Sequence, residues 1–118
     1  SNLPGLDGFP NEALTDGVVI DYRVFGSIDD GNFNLDSQFN KGRTATHEVG
    51  HYLGLLHTFE GGCTGPNDYV TDTPALSSET RNCPSHPATS CNNITKMFQN
   101  YLDYTNDACM NLFTAGQI

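Results

Sequence analysis

The sequence is poor in positive charge. Only 5 residues are Lys or Arg against 14 Asp and Glu, so the formal net charge is −9. This balance offers no attraction for phosphate backbones or anionic lipid surfaces, which makes nucleic acid and membranes poor partners. No apolar run approaches the ~18 residues of a membrane-spanning helix. The negative charge would suit cationic peptides or calcium, although solubility alone explains most of it.

The sequence also lacks any C-x-x-C pair, although it contains 4 Cys, at positions 63, 83, 91 and 109. A Cys-rich structural zinc site is therefore not expected. An even number of Cys in a short chain instead favours a pair of disulfides and secretion into an oxidising, extracellular compartment. Spacing alone leaves every pairing open. At 118 residues, the chain is long enough for one small domain and not for two.

Regular secondary structure is predicted in few places. Residues 1–16 are rich in Gly and Pro and predict a loop. Val18–Phe25 is β-branched and aromatic, which predicts a strand. Asp29–Asp36 is rich in side-chain oxygens but lacks the Gly and the distal Glu of a calcium loop, so a solvated turn is favoured. From Thr58 onwards about forty residues read as irregular, and Thr114 with Gln117 predicts a helix-capping box near the end of the chain.

A helix is predicted to begin between Asn40 and Thr44. Apolar residues follow it at i, i+4, i+7 and i+8, a spacing that places them on one face. We expect this face to pack on the predicted strand and the opposite face to look outward into a cleft. The apolar positions are Ala45, Val49, Tyr52 and Leu53.

The outward face carries the sequence H-E-x-x-H-x-x-G-x-x-H. His47 and His51 lie one helical turn apart, so both imidazoles can reach one ion. Glu48 is adjacent to a ligand but is not needed on the metal, so it is free to accept a proton from a metal-activated water. His57 would lie ~9 Å further along an unbroken helix, so the chain must turn back. Gly54 stands where it must do so.

A lone H-E-x-x-H is a modest signal, and an isolated His on a helix has no special role by default. The Gly and the third His at this spacing make coincidence a poor explanation and predict a zinc site. Three His ligands leave a coordination position open, which is typical of catalytic rather than structural zinc.

The chain resembles the pappalysin family of metzincin zinc metalloproteases, the group that includes ulilysin. The resemblance runs from Asp16 to the C-terminus. Besides the zinc motif, it rests on Asp16–Ile20, Gly42–Thr46, His57–Glu60, Asp68–Pro74, Gln99–Tyr104, and Cys109 followed by Phe113–Thr114.

The resemblance implies an α+β, metzincin-like catalytic domain that occupies 1–118 as a single unit. Its upper part, 1–57, would hold the zinc helix on a sheet. Its lower part, 58–118, would be irregular and disulfide-linked and would carry the Met-turn. Family members have further strands and a helix ahead of this region. We therefore expect the domain to be incomplete at both ends, with a missing N-terminal segment on the same or another chain.

The resemblance further implies a secreted zinc endopeptidase that acts on protein or peptide substrates. Glu48 would be its general base, and Tyr104 would help to hold the oxyanion. Leu102 falls at the Met-turn position, where the family has Met. The implied disulfides are Cys63–Cys91 and Cys83–Cys109. The alternative is a non-catalytic zinc-binding fragment or module of a metzincin-like protein.

Two further sites follow less directly. Hard oxygens in a tight loop predict a calcium site, with a plain acidic surface loop as the alternative. Its residues would be Asp68, Thr71, Asp72 and Thr73. The segment Thr105–Ala108 would line the S1′ pocket. Asp107 in that segment would prefer basic side chains if it faced the pocket, but an exposed Asp is the favoured interpretation.

Overall fold

The computed structural model describes residues 17–118, so the loop predicted at 1–16 lies outside the described residues. One α-helix, α1, spans Arg43–Tyr52. Short 3-10 helices span Tyr22–Val24, Cys91–Asn93, Asp107–Cys109 and Ala115–Gln117. Within this part of the chain, no helix has the length and apolar character needed to cross a membrane.

The strand predicted at Val18–Phe25 is wrong. This segment instead forms the 3-10 turn Tyr22–Val24, because the Asp21 side chain accepts a hydrogen bond from the backbone N–H of Arg23. A strand needs a neighbouring strand to bond its backbone groups. None is paired with this segment among residues 17–118, and Val19 is 94% exposed. High β-propensity without a pairing partner was therefore misleading.

Backbone pairing is limited to isolated bridges in residues 17–118. Ser27 pairs with Lys41 and Thr89 with Thr95, both antiparallel, while a parallel bridge joins residues 100 and 112. The sheet of the predicted α+β class is thus not contained in the described part of the chain. The helix predicted to start between 40 and 44 is confirmed, since α1 begins at Arg43.

The start of α1 is fixed by a distant residue. Gly42, at the N-cap, has a left-handed φ of 74° and offers no side-chain cap. Instead, Oδ2 of Asp107 accepts hydrogen bonds from the backbone N–H groups of Lys41 (2.9 Å) and Arg43 (3.0 Å). A carboxylate at this end also interacts favourably with the helix dipole. The lower part of the chain therefore orients the helix.

The end of α1 is a local Schellman motif. Gly54 adopts φ 95°, and its N–H donates to the carbonyl of His51 at 2.9 Å. The N–H of Leu55 donates to the carbonyl of Gly50 at 3.0 Å. These paired bonds satisfy the last helical carbonyls and reverse the chain. The turn predicted at Gly54 is confirmed.

The face of α1 that is buried differs from the predicted one. Val49 is 44% exposed and Leu53 is 72% exposed, so the apolar stripe does not pack on a strand in the described structure. The buried residues of α1 are His47 and Gly50. Gly50 faces Leu102, whose side chain is completely buried, and His47 contacts the carbonyl of Tyr101. The helix thus packs on the C-terminal region, while His47 and Glu48 line a cavity.

Disulfides hold the irregular region after residue 57. Cys63 is bonded to Cys91, with their Cα atoms 5.5 Å apart, and Cys83 to Cys109, with Cα atoms 5.9 Å apart. These are the pairs that the family resemblance implies. Each links segments 26 or more residues apart in sequence, which reduces the entropy of the unfolded chain and gives order to a region with little regular structure.

Candidate metal centre

Three imidazoles converge at the end of α1. Nε2 of His51 lies 2.9 Å from Nε2 of His47 and 3.0 Å from Nε2 of His57. A zinc ion bound at about 2.0–2.1 Å from each nitrogen would separate them by about 3.3 Å in a tetrahedral site. The two distances from His51 are therefore within a few tenths of an ångström of those in a zinc site, and all three nitrogens lie within 4.8 Å of one another. Among residues 17–118, these residues form the one group of three His, Cys, Asp or Glu side chains close enough to share an ion.

Backbone carbonyls orient two of the rings. Nδ1 of His47 lies 2.6 Å from the carbonyl of Tyr101, and Nδ1 of His51 lies 2.8 Å from the carbonyl of Leu55. A carbonyl can only accept, so each Nδ1 must donate, and each neutral ring then carries its lone pair on Nε2. Lone pairs that face one another at 3 Å repel unless a cation lies between them, which makes this arrangement suited to a metal.

The local environment favours the uncharged, metal-binding state of His47 and His57. Burial lowers the pKa of His47 below its usual value. Burial, followed by the neighbouring His51 and His47, lowers the pKa of His57 to about 4. Both rings are therefore neutral at pH 7, so no proton competes with a metal ion for their Nε2 atoms.

His57 reaches the site because the chain is held after its turn. The backbone N–H of Thr58 donates to the carbonyl of Leu102 at 3.3 Å, and the ring of His57 stacks on Phe59 with centroids 4.7 Å apart. The Schellman motif reverses the chain, and these contacts then fix the position of the third ligand. The spacing of the motif thus produces the convergence expected from sequence.

A cavity of about 280 Å³ opens beside His47. His47, Glu48 and Tyr104 all line it, together with Thr105 and Asp107. Glu48 follows His47 on α1 and is half-buried. A carboxylate, a metal-ligating imidazole and a phenol thus share one cleft. This combination can bind a carbonyl compound, accept a proton from water and donate a hydrogen bond to a developing oxyanion.

Tyr104 packs directly against the ligands. Its ring centroid lies 4.9 Å from that of His57 and 5.7 Å from that of His47. The guanidinium of Arg81 also lies over this ring, 4.9 Å from the centroid. Burial raises the pKa of Tyr104 above its usual value, so the phenol keeps its proton at neutral pH and remains a hydrogen-bond donor.

Leu102, the residue predicted at the Met-turn position, is completely buried and lies next to α1. It belongs to the turn Asn100–Asp103, which is closed by a 3.1 Å hydrogen bond from the N–H of Asp103 to the carbonyl of Asn100. A Cβ atom built on Gly50 would lie only 3.1 Å from Cδ2 of Leu102. The turn therefore approaches α1 closely between the first two ligands, where only Gly leaves room.

The predicted calcium residues are only partly brought together. Asp68 is buried, and both of its carboxylate oxygens lie 2.7 Å from Oγ1 of Thr73, which donates to them. Asp72 turns elsewhere, since its Oδ2 accepts the N–H of Gly116 at 3.0 Å. Thr71 is exposed. Asp68 and Thr73 therefore form a hydrogen-bonded unit, and the calcium site stays a prediction.

The expectation that Asp107 is an exposed carboxylate is wrong. Its side chain is only 2% exposed, because Oδ2 caps the N–H groups of Lys41 and Arg43. The segment does border the cavity, as Thr105 and Asp107 both line it. Oδ2 of its carboxylate is nevertheless hydrogen-bonded to the start of α1, so Asp107 has a structural role next to the site.

Sequence reasoning missed two contributors to the site. The carbonyl of Tyr101 orients His47, and a backbone group leaves no trace in residue type. Asp103 lines the cavity, and its Oδ1 accepts the N–H groups of Thr80 and Tyr104, both at 2.8 Å. Its Oδ2 is buried without a hydrogen-bond partner among residues 17–118, and burial raises the pKa of this carboxyl. One feature of the sequence could have indicated the role of Asp103: it lies between Leu102 and Tyr104, two residues that were predicted at the site.

Comparison with known proteins agrees with this geometry. The model of a family described as pregnancy-associated plasma protein-A matches residues 5–118. An extracellular metalloprotease of Sordaria macrospora is 47% identical over 109 residues, which are 91% of this chain and 36% of the relative. An extracellular metalloprotease of Pyricularia oryzae is 44% identical over 113 residues, which are 92% of this chain and 38% of the relative.

Solved structures of mirolysin from Tannerella forsythia share the fold. Mature mirolysin in complex with a cleaved peptide is 50% identical, with a TM-score of 0.78, over 92% of this chain and 42% of that one. A promirolysin mutant is 49% identical, with a TM-score of 0.81, over 92% of this chain and 36% of the other. The chain thus spans well under half the length of the relatives and structures it matches.

Proposed function

The chain belongs to the pregnancy-associated plasma protein-A family. We propose that it carries the metal centre of an extracellular zinc endopeptidase. The observation that supports this function best is the convergence of three imidazole nitrogens at 2.9 and 3.0 Å. His47, His51 and His57 would hold the zinc. When bound, zinc would polarise the scissile carbonyl and lower the pKa of a water molecule in the cleft.

Glu48 is proposed as the general base. It lines the same cavity as His47, half-buried, and is not one of the three converging ligands. Its carboxylate would accept a proton from the attacking water and then deliver it to the leaving amine. The proton therefore returns to the product, and the carboxylate is regenerated in each turnover.

Tyr104 is proposed to stabilise the oxyanion. Its phenol stays protonated because burial raises its pKa, and its ring contacts both His57 and the guanidinium of Arg81. A donor fixed in this way needs no reorganisation when negative charge develops on the carbonyl oxygen. Leu102 would supply an apolar floor below the ligands without contacting the metal, which is a role for shape rather than for sulfur chemistry.

The substrate class and location follow from the relatives. Curated relatives are named extracellular metalloproteases, and the two disulfides suit an oxidising compartment. We therefore propose a protein or peptide substrate and an extracellular location. The upper part, 1–57, would carry the zinc helix and the three ligands, and the lower part, 58–118, would carry the Met-turn position. A further N-terminal segment, on the same or another chain, would complement them.

A calcium ion near Asp68 is a separate proposal. This carboxylate is buried, and among residues 17–118 it has no ion-pair partner. Oxygen ligands from Asp68, Thr71, Asp72 and Thr73 would suit calcium. With zinc held constant, added calcium should raise the melting temperature of the wild-type chain but not that of Asp68→Asn, because only a ligand that binds the native state stabilises it. Equal responses would rule out the site.

The main function is tested with Glu48→Ala. The wild-type chain should cleave an unstructured protein such as casein in the presence of zinc, and a chelator should abolish the cleavage. Glu48→Ala should bind zinc as well as the wild type and show no turnover. Asp30→Ala, which removes an exposed carboxylate of the loop before α1, is the matched control and should keep both properties. Substantial proteolysis by Glu48→Ala would exclude Glu48 as the base.

The second candidate is a zinc-binding module without activity of its own. It is favoured by the exposed apolar face of α1, where Val49 and Leu53 lack a cover in the described structure. This candidate predicts that the wild-type chain binds zinc as tightly as Glu48→Ala but cleaves nothing. The same assay therefore separates the two functions.

A further inference from the structure

We propose that Asn100 and Gln117 are positioning residues of the metal centre. Their paired side-chain amides fix the peptide group between Tyr101 and Leu102, and that peptide group orients His47. This inference rests on the proposed zinc function and adds residues that make no contact with the ligands themselves.

The two amides form a closed, buried pair. Nδ2 of Asn100 donates to Oε1 of Gln117 at 2.7 Å, and Nε2 of Gln117 donates back to Oδ1 of Asn100 at 3.3 Å. Each oxygen also accepts a backbone N–H, that of Leu102 at 2.9 Å for Asn100 and that of Thr114 at 2.9 Å for Gln117. Both residues are buried. The backbone donors determine which end of each amide is oxygen, so the oxygen and nitrogen positions of the two side chains cannot be exchanged.

The pair acts on the ligand through one planar group. The N–H of Leu102 and the carbonyl of Tyr101 are opposite ends of a single peptide unit, which is rigid because of its partial double bond. Asn100 holds the N–H end, and Nδ1 of His47 lies 2.6 Å from the oxygen at the other end. Any rotation of this peptide group would break both hydrogen bonds. Two bonds and one rigid unit therefore connect Asn100 to His47.

The same turn reaches the other ligands. The carbonyl of Leu102 accepts the N–H of Thr58, the residue after His57, and the Leu102 side chain lies under Gly50, next to His51. A displacement of the Asn100–Asp103 turn would thus change the positions of all three ligands. The amide pair ties this turn to the 3-10 helix Ala115–Gln117, so a residue near the end of the chain contributes to the metal site.

Only a side chain with both an acceptor and a donor satisfies this arrangement. Asn100→Ala leaves two buried donors without their acceptor, the N–H of Leu102 and Nε2 of Gln117. Asn100→Asp keeps an oxygen for Leu102 and for Nε2 of Gln117, and a protonated carboxyl group would also donate to Oε1. Gln117→Ala removes the pair from the other side and leaves the hydrogen bond from the N–H of Leu102 to Oδ1 of Asn100 in place.

The experiment measures zinc dissociation constants of the 118-residue chain by competition with a chromophoric chelator. Asn100→Ala should bind zinc about tenfold more weakly, in line with losses seen for outer hydrogen-bond partners of metal ligands. Gln117→Ala should fall between Asn100→Ala and the wild type. Asn100→Asp should stay within about threefold of the wild type because the Leu102 acceptor is kept. The absorption spectrum of bound cobalt(II) should change in the same order.

Leu76→Val is the matched control, since Leu76 is buried at 1% exposure and is not part of the Asn100–Asp103 turn. It should lower the melting temperature of the zinc-free chain as Asn100→Ala does, yet leave zinc affinity unchanged. The inference is overturned if Asn100→Ala and Gln117→Ala both bind zinc like the wild type, or if Leu76→Val loses as much affinity at an equal melting temperature. Failure of the wild type to bind zinc would instead overturn the proposed function, and this inference with it.

Discussion

The contact between Gly50 and Leu102 predicts that Gly50→Ala lowers stability when residue 102 is Leu and raises it when residue 102 is Ala. A Cβ atom on Gly50 would lie 3.1 Å from Cδ2 and 3.5 Å from Cδ1 of Leu102. Carbon atoms in favourable contact are ~3.5–4.0 Å apart, so the shorter distance requires a shift of a few tenths of an ångström. Leu102 is completely buried and has little room to move.

Two opposing effects set the magnitude. Replacing Gly by Ala inside a helix gains about 0.5–1 kcal/mol of stability, because Gly loses more backbone freedom on folding. Crowding a packed core costs about 1–3 kcal/mol. We therefore expect Gly50→Ala to destabilise the wild-type chain by about 1 kcal/mol. In a Leu102→Ala background the crowding disappears, and Gly50→Ala should stabilise the chain by about 0.5–1 kcal/mol.

The assay is urea unfolding of four chains: the wild type, Gly50→Ala, Leu102→Ala and the double variant, all with zinc removed. Leu102→Ala alone should cost about 2–5 kcal/mol, as for other buried Leu residues. The coupling energy from the cycle should be about 1–3 kcal/mol. If Gly50→Ala were equally stabilising in both backgrounds, the turn would not be a rigid floor against α1 and the reasoning would be refuted.

Three further predictions concern the cleft. Tyr104→Phe should lower kcat by about 10²–10³ with zinc affinity unchanged, because one oxyanion donor is lost; a loss below about threefold would assign Tyr104 to packing. Leu102→Met should raise the melting temperature slightly and change zinc affinity by less than about tenfold, since the two side chains have similar volumes; restored zinc binding in a chain that otherwise lacks it would contradict this. Asp103→Asn keeps an acceptor for Thr80 and Tyr104. Burial raises the pKa of Asp103 in the folded chain, so its protonated form is favoured by folding, and that contribution is present at low pH and lost as pH rises. The gain in melting temperature from Asp103→Asn should therefore be larger at pH 7 than at pH 4, and an equal gain at both would show that this carboxyl is not strained by burial.

The part of the site that sequence predicted correctly depends on local geometry. A spacing of four residues on a helix brings His47 and His51 together whatever surrounds them. The Schellman motif at Gly54 is closed by hydrogen bonds within a few residues of α1, so one Gly at the right place predicts the reversal that brings in His57. The start of the helix was also predicted to within the stated range.

The strand at Val18–Phe25 shows where local preference fails. Its residues favour extended backbone, but a strand exists only when another strand bonds to it. The burial of the stripe that includes Val49 and Leu53 was wrong for the same reason, since the predicted strand was its partner. Periodicity identified two faces of α1 correctly but not the surface against which either face would pack.

The sequence by itself determined the ligand set and the local turn that assembles it, because these depend on residue type and short-range spacing. The tertiary structure decided how the ligands are held. Asp107 caps α1 from 64 residues beyond Arg43, and the carbonyl of Tyr101 orients His47 from 54 residues away. Contacts over such distances are made by backbone groups and by carboxylates whose roles depend on where the chain places them. No residue type or spacing encodes that placement, which arises only when the disulfide-linked lower region folds against the helix.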